Sequence, residues 1–413
     1  MTGTHADDTA TAAGGATREF EFDVMDLLVA ALRHAVKHEA PVVGTDTLLA
    51  ALVMGDTDAG AAIAPGMRKA GALSGVISGR AGRGWASDDD EGDGGQAGVG
   101  ADEAEVAAAW REARWRLGLG ARESAPESGR VLPGMSGALR ACLLLALTSA
   151  RAEGVISVRC RHVARALLDL PGSRAREALL LRRLDTGAAA TALDGVDAKA
   201  ATETEGPESR GVTLLRRAGT LGRKGSGNKL SRAITSWTSG ASLDGSPMLF
   251  AVTGEAVRQA VRCGRGAVEP VDLLLGALAL DRALPVAGRS LLASLAAANS
   301  APDLLRRHGV RQTSLVHAAT AAEPVPESAW EDGGVWLSAD AERVLARARL
   351  SAAEHGSPTV GTVHLLAALL DEPATEAGAE GAEGDGATVV RLLVADRVDV
   401  AALRAELLPR LGA

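Results

Sequence analysis

The chain has 413 residues, a formal net charge of −8 and 46% hydrophobic residues. This length suffices for two or three domains, and the acidic balance disfavours a general affinity for nucleic acid. The chain holds no Tyr and three Phe, whereas Ala and Leu are abundant. Because sheets favour β-branched and aromatic residues, this composition favours closely packed helices, and we expect an all-α fold.

The first segment, 1–19, is rich in Thr, Ala, Gly and Asp. It lacks the basic start and the apolar run of a signal peptide, and we predict a disordered tail. The cysteines Cys142, Cys160 and Cys263 lie within apolar helical stretches, as small buried hydrophobes do in reducing compartments. We therefore expect a cytoplasmic protein without a membrane segment.

The first predicted domain, 20–197, opens with a helix whose apolar residues, such as Val24 and Leu28, recur at helical spacing. His34 and His38 lie four residues apart on this helix, a spacing that can place two imidazoles on one metal ion. The residues between them lack the Glu of a zinc protease, so an exposed polar face is the simpler interpretation. We expect no metal here.

A loop interrupts this domain at 79–100, where acidic residues stand among glycines. Such a composition cannot bury a core, and we predict a flexible segment. A helix over 101–119 follows, and Trp110 and Trp115 give it the large apolar surface that the Ala-rich helices lack. We expect this helix to replace the last helix of the first repeat.

The stretch 198–245 is rich in Gly, Ser and Thr and is predicted to be a flexible linker. Its second part carries seven Lys and Arg residues between 210 and 232 without an acid, a pattern that can contact phosphates. No nucleic-acid-binding motif accompanies the basic run, so we expect no nucleic-acid partner. Residues 246–413 form the second predicted domain, with an acidic insertion at 372–386 before its last two helices.

One spacing occurs four times, which indicates an internal repeat. Three copies begin with a serine N-cap that precedes a helix-terminating glycine by 18 residues: Ser136 and Gly154, Ser246 and Gly264, Ser338 and Gly356. In the first copy, Glu39 takes the glycine position. A second apolar helix begins eight residues later in each copy, around Thr47, His162, Asp272 and His364. Thr362 offers a further N-cap in the fourth copy.

Residues 360–370, Val-Gly-Thr-Val-His-Leu-Leu-Ala-Ala-Leu-Leu, resemble the Gly-Thr-Glu-His-Leu-Leu signature of the Clp N-terminal repeat family. Residues 43–52 resemble it as well, and 159–168 and 269–278 resemble it more weakly. In that family two repeats form one pseudo-twofold domain, so the resemblance implies two double-repeat domains in tandem. Family members place this domain ahead of ATPase rings. The phosphate-loop spacing is absent from this chain, so we expect neither an ATPase module nor a cofactor.

The resemblance also implies a docking function. Family N-terminal domains bind substrates, adaptors and, in actinobacterial members, cyclic peptide antibiotics. We therefore expect a non-enzymatic protein that binds peptides, unfolded or tagged proteins, cyclic peptide antibiotics or a Clp ATPase ring. It would act as an adaptor, decoy or scavenger in Clp-dependent proteolysis. Two alternatives stay open: a helical scaffold or regulatory protein unrelated to proteolysis, and a cofactor-free hydrolase whose site assembles only in space.

The segments at the starts of the first helices supply the candidate binding residues. In the family, an aromatic residue at this place contributes to a peptide groove, and such a groove needs bulky apolar anchors. The alternative is that these side chains seal helix ends as hydrophobic staples. The candidates are Phe20, Phe22, Met135, Trp336 and Leu337.

Asp46 is the remaining candidate. The Glu of the family signature helps recognise phosphoarginine, and Asp46 alone retains an acid among the four copies, so the resemblance implies a guanidinium acceptor in the first copy. The signature histidine is kept as His162 and His364. For both we expect a capping or core role, with ligand binding as the alternative.

Overall fold

The computed structural model describes residues 19–80, 83–87, 89, 100–121, 132–202, 206–223, 246–320, 334–371 and 389–412. Helices dominate this part of the chain, and its strands are two or three residues long. The prediction of an all-α fold is confirmed. The chain divides into two compact units, Arg18–Glu203 and Thr204–Ala413, called here the first and the second unit. Within the described residues, no helix is both long and apolar enough to cross a membrane.

The first unit contains two sets of four helices and one additional helix. Its helices are α1 (Phe22–Lys37), α2 (Thr45–Met54), α3 (Asp58–Ile63), α4 (Met67–Arg80), α5 (Ala101–Ala121), α6 (Gly137–Ala152), α7 (Cys160–Asp169), α8 (Arg174–Leu181) and α9 (Thr186–Thr202). Its strands are β1 (Glu19–Phe20), β2 (Val42–Val43), β3 (Gly134–Met135) and β4 (Ser157–Val158). The expectation that 101–119 replaces the last helix of the first repeat is wrong, because α4 already provides a fourth helix and α5 is additional.

The strands of the first unit join its two repeats reciprocally. β1 pairs in parallel with β4, so that Phe20 faces Val158. β2 pairs in parallel with β3, so that Val43 faces Met135. The strand before the first helix of each repeat thus pairs with the strand before the second helix of the other. Both repeats contribute to one continuous core.

The second unit has its own core. Its helices are α10 (Arg210–Arg217), α11 (Pro247–Arg262), α12 (Pro270–Val286), α13 (Ala293–Ala296), α14 (Ala301–Arg307), α15 (Gln312–Ala319), α16 (Ala339–Glu354), α17 (Thr362–Leu370), α18 (Val389–Ala395) and α19 (Val400–Leu407). Its strands are β5 (Leu221–Arg223), β6 (Ala267–Val268), β7 (Arg289–Leu291) and β8 (Trp336–Leu337). β6 pairs in parallel with β8, and β5 pairs antiparallel with β7. At the start of α11, a hydrogen bond joins the two repeats: the Ser246 hydroxyl donates to the carbonyl of Val360, in the segment before α17, over 2.6 Å.

The local signals of the repeat are confirmed. The hydroxyls of Ser136, Ser246 and Ser338 each accept from a backbone amide in the first turn of the following helix. The residues that end these first helices adopt positive φ, which glycine tolerates without a steric penalty. They are Gly154 (73°), Gly264 (78°), Gly356 (66°) and, in the first copy, Glu39 (54°). The predicted N-cap at Thr362 is wrong, because Gly361 caps this helix and Thr362 is its first residue.

The predicted flexible linker over 198–245 is also wrong in part. α9 continues to Thr202, and α10 packs into the second unit with Val212 and Leu215 fully buried. The backbone amide of Gly211 donates to the Glu255 carboxylate over 3.3 Å. Residues 224–245 lie outside the described residues, as do the predicted tail up to Arg18 and the predicted insertion 372–386.

Candidate functional site

The candidate anchors of the first unit lie within the structure rather than on an open groove. Phe20 is fully buried, and its backbone amide donates to the Glu105 carboxylate of α5 over 3.0 Å. Phe22 is half-buried under Arg116 of the same helix, whose guanidinium carbon lies 4.5 Å from the ring centroid. Met135 is half-buried against the core. Burial closes Phe20 to a ligand in this structure, whereas Phe22 and Met135 are partly exposed and stay predicted binding residues.

The second unit keeps an apolar anchor on its surface. Trp336 stands in β8 opposite Ala267, and 61% of its side chain is exposed. Its neighbour Leu337 pairs with Val268 and packs against the core. Ser338 then holds the strand end, since its hydroxyl donates to Glu269 over 3.1 Å. Of the sequence-predicted residues, Trp336 is therefore the most exposed.

Asp46 is enclosed. It lies in the first turn of α2 and is nearly fully buried. A Cβ placed on Gly44 would lie 2.5 Å from Asp46 Oδ1, 2.9 Å from Asp89 Oδ2 and 3.6 Å from Arg174 Nη1, so two carboxylates and a guanidinium converge here. Burial and, to a lesser degree, the charge of Asp89 raise the pKa of Asp46 to about 6.

Asp89 holds this cluster in place. Its carboxylate accepts from the backbone amide of Thr45 (2.6 Å), the Thr45 hydroxyl (2.8 Å) and the backbone amide of Arg174 (2.8 Å). It thereby satisfies the free first-turn amides of both α2 and α8. Asp46 itself is buried, so the open acceptor that the family resemblance implied is not present in this structure.

The sequence did not indicate the role of Asp89. It belongs to an acidic run in the predicted flexible loop, and no local signal separates it from its acidic neighbours. Its partners Thr45 and Arg174 are 44 and 85 residues away. Only the tertiary fold brings the three together.

The two signature histidines have the predicted capping role. His162 Nδ1 accepts from the backbone amide of Arg159 over 2.9 Å, and His364 Nδ1 accepts from that of Gly361 over 3.0 Å. His364 Nε2 lies 2.9 Å from the carbonyl oxygen of Leu411. Since that oxygen can only accept, Nε2 carries the proton and the imidazole is neutral. Burial lowers the pKa of both histidines.

The rings of His34 and His38 lie side by side on α1, tilted by 39° with their centroids 4.4 Å apart. His34 Nε2 lies 3.0 Å from the Ser78 hydroxyl, so one ring nitrogen already has a protein partner. Among the described residues, no three His, Cys, Asp or Glu side chains form a metal-binding group.

An open cavity of about 620 Å³ lies between α16, α17 and α19 of the second unit. Leucines form much of its lining, and Leu350 and Leu408 remain exposed. Arg347, Glu354 and Asp371 contribute charges of both signs. Leu350 stands off the buried stripe of α16, and a leucine outside the core face of a helix is the sequence signal that could have indicated this surface.

Residues 289–380 match the family model of the Clp repeat (R) N-terminal domain. This segment is similar to the Clp repeat N-terminal domain. No curated protein and no solved structure matches the chain. The Clp repeat match covers β7 to α17 and therefore includes Trp336, Leu337 and the α16 and α17 walls of the cavity. The first unit lies outside the match.

Proposed function

We propose that this protein is a non-catalytic docking protein that binds apolar segments of other proteins through its second unit. The observation that carries this proposal is the exposure of Trp336 within the segment that matches the Clp repeat N-terminal domain. An indole that is 61% exposed offers a large apolar contact whose burial stabilises a complex. The leucine-lined cavity in the same unit supports the same function, because ligand sites are concave and mostly apolar.

In this proposal the protein acts as an adaptor, decoy or scavenger in Clp-dependent proteolysis. Its ligands would be unfolded or tagged proteins, peptides and cyclic peptide antibiotics, and its macromolecular partner would be a Clp ATPase ring. The chain lacks a phosphate-loop motif, so any ATP-driven step would belong to that partner.

A binding measurement with one surface variant tests the docking function. The probe is fluorescein-labelled, carboxymethylated α-lactalbumin, which stays unfolded, and the readout is fluorescence anisotropy. We expect Trp336→Ala to weaken binding at least tenfold with an unchanged melting temperature, because the side chain contributes little to the core. Val394→Ala is the matched control, since Val394 is exposed to a similar degree in the same unit. Equal binding by Trp336→Ala and wild type would contradict the assignment of Trp336.

A degradation assay separates the three roles. Purified Clp ATPase and peptidase degrade a labelled substrate while the full chain is titrated in. Faster degradation indicates an adaptor, and slower degradation that excess substrate relieves indicates a decoy. An unchanged rate with retained binding of a cyclic peptide antibiotic indicates a scavenger.

A further inference from the structure

The cavity of the second unit lies within the last repeat, between its first helix α16, its second helix α17 and its fourth helix α19. By the spacing of the repeat, Ser351 of α16 corresponds to His34 of α1. The ring of His34 reaches the Ser78 hydroxyl on the fourth helix of the first repeat, with Nε2 and the hydroxyl oxygen 3.0 Å apart. The hydroxymethyl group of Ser351 is too short to bridge in this way. The place that an imidazole takes in the first repeat is therefore open in the last one.

Two leucines project at this cavity. Leu350 of α16 is 58% exposed, Leu408 after α19 is 64% exposed, and both line the cavity. The same surface thus carries an apolar hollow and apolar side chains that could fill one. A surface with both features can be complementary to itself, because a two-fold axis brings the projection of each copy to the hollow of the other.

The charges on α16 have the same self-complementary arrangement. Arg347, Leu350, Ser351 and Glu354 line the cavity, and their spacing of three, four and seven residues places them on one side of the helix. We call these four residues the α16 face. Arg347 and Glu354 are both exposed, and no ion pair within the described part of the chain includes either of them.

A two-fold axis between Leu350 and Ser351 pairs these charges. When two α16 helices lie antiparallel about this axis, Arg347 of each copy faces Glu354 of the other copy, because the two residues are equally far from the axis along the helix. The two Leu350 side chains then meet at the centre, beside the two cavities. Opposite charges across an interface select this register and disfavour the parallel one, in which like charges would meet.

The other first helices do not combine an exposed leucine with two exposed opposite charges at these places. In α11 the charges are opposite, but Glu255 and Arg262 are buried. The residues that correspond to Arg347, Leu350 and Glu354 are Ala30, Arg33 and Lys37 in α1, Leu145, Thr148 and Ala152 in α6, and Glu255, Arg258 and Arg262 in α11. The self-complementary pattern is therefore a feature of the last repeat and not of the repeat in general.

We infer that the α16 face docks a second copy of this chain, so that two second units form a two-fold symmetric dimer through antiparallel α16 helices. Leu350 and Leu408 of each copy lie against the cavity of the other, and two Arg347–Glu354 pairs flank them. This inference goes beyond the proposed function and limits it at one place, because a second copy seated on the cavity excludes a client there. Trp336 stands before the opposite end of α16 and is left for other ligands.

Charge reversal in the full chain tests the inference, with sedimentation velocity at protein concentrations up to about 100 µM as the measurement. We expect wild type to dimerise, and Arg347→Glu and Glu354→Arg each to raise the dissociation constant of the dimer at least tenfold. Exposed ion pairs are individually weak, but each reversal places two like-charged pairs across the interface at once. An equimolar mixture of the two variants should dimerise again, because every facing pair is then opposite in sign. The double variant should dimerise by itself for the same reason.

Glu342→Arg is the matched control. Glu342 is exposed on another side of the same helix, so its reversal should leave the dimer unchanged. A wild-type chain that stays monomeric, or a mixture of the two reversed variants that does, would overturn the inference. If the chain is monomeric and Leu350→Ser weakens binding of the unfolded client, the cavity belongs to client docking, so the inference fails and the proposed function stands. If the dimer forms as described while Trp336→Ala binds the client like wild type, the inference stands and the assignment of Trp336 fails.

Discussion

The carboxyl group of Asp46 is costly to ionise in the folded protein. Its pKa is raised from 3.8 to about 6, first because it is buried and second because Asp89 lies beside it. A raised pKa means that the folded state binds the proton more tightly than the unfolded state does. The free energy of unfolding therefore falls as the pH rises from about 4 to about 6, and the cost persists at neutral pH.

Asp46→Asn should remove this cost. We expect the variant to be more stable than wild type at pH 7.5, by up to about 3 kcal/mol on the conversion of 1.36 kcal/mol per pKa unit. The difference should shrink toward zero at pH 4, where wild-type Asp46 is protonated in the folded state. Urea denaturation of both proteins at the two pH values measures it. A variant that is less stable than wild type at pH 7.5 would show that the ionised carboxylate is needed.

Helix starts buried between repeats need hydrogen-bond acceptors, and the chain supplies them from different places. The first amide of α7, that of Cys160, donates to Asp23 over 3.0 Å. The first amides of α2 and α17 donate to Asp89 and Asn299. The fourth such helix, α12, begins with Pro270, which has no amide proton. The first amide of each of these helices is thus satisfied by an aspartate or an asparagine, or is removed by a proline.

Asp23 explains why the loop residue Asp89 is needed. Asp23 is the second residue of α1, and it caps the second helix of the other repeat. Ala138 holds the equivalent place in α6 and cannot accept a hydrogen bond from a side chain. Its backbone amide instead donates to the Asp89 carbonyl over 3.1 Å. Asp89 therefore lies beside position 138 and supplies the carboxylate that Ala138 lacks.

Asp89→Ala should lower the stability of the first unit by about 3 kcal/mol, since buried amides of α2 and α8 lose a charged acceptor. The double variant Asp89→Ala with Ala138→Asp should recover part of this loss, because the new carboxylate occupies the place that Asp23 has in the other repeat. Denaturant titration of the three proteins measures both steps. The account is contradicted if Asp89→Ala unfolds at the same denaturant concentration as wild type.

The sequence predicted those elements whose signals are local. Serine caps such as Ser338, glycine stops such as Gly356 and the apolar stripes of the first helices are set within one helix length, and the structure confirms them. α10 was missed because Val212 and Leu215 give it few apolar positions and its neighbours resemble a linker. Its helical state depends on partners such as Glu255, which lie far along the chain. The environment of Phe20 likewise depends on α5, because its backbone amide donates to Glu105 of that helix, 85 residues along the chain, and no spacing indicates this contact.

The second unit begins earlier in the sequence than the composition of the chain predicts. Glu208 joins Arg216 and Arg289 in ion pairs, and β5 pairs with β7, so 206–223 is attached to the second unit. The Gly- and Ser-rich stretch 224–245 therefore begins and ends on the same unit.

Limited trypsin digestion should show this attachment. Lys224, Lys229 and Arg232 stand among Gly and Ser and should be cut before Arg216 within α10, which is helical. The two resulting pieces should elute together in gel filtration and separate only in denaturant, because one piece keeps α10 and β5 packed on the other. The paired substitutions Val212→Asp and Leu215→Asp should let them separate without denaturant. Separation of the nicked wild-type protein in native buffer would contradict the attachment.

The early start of the second unit also shortens the tether between the units. Three residues, 203–205, separate the end of α9 from the attached segment that begins at 206. Fully extended, three residues span at most about 11 Å. A short tether keeps the effective concentration of one unit near the other high, so a partner held by one unit meets the other at little additional entropic cost. Two individually weak contacts, one on each unit, would therefore combine into a tight one, and a partner with two matching segments would be favoured over a partner with one.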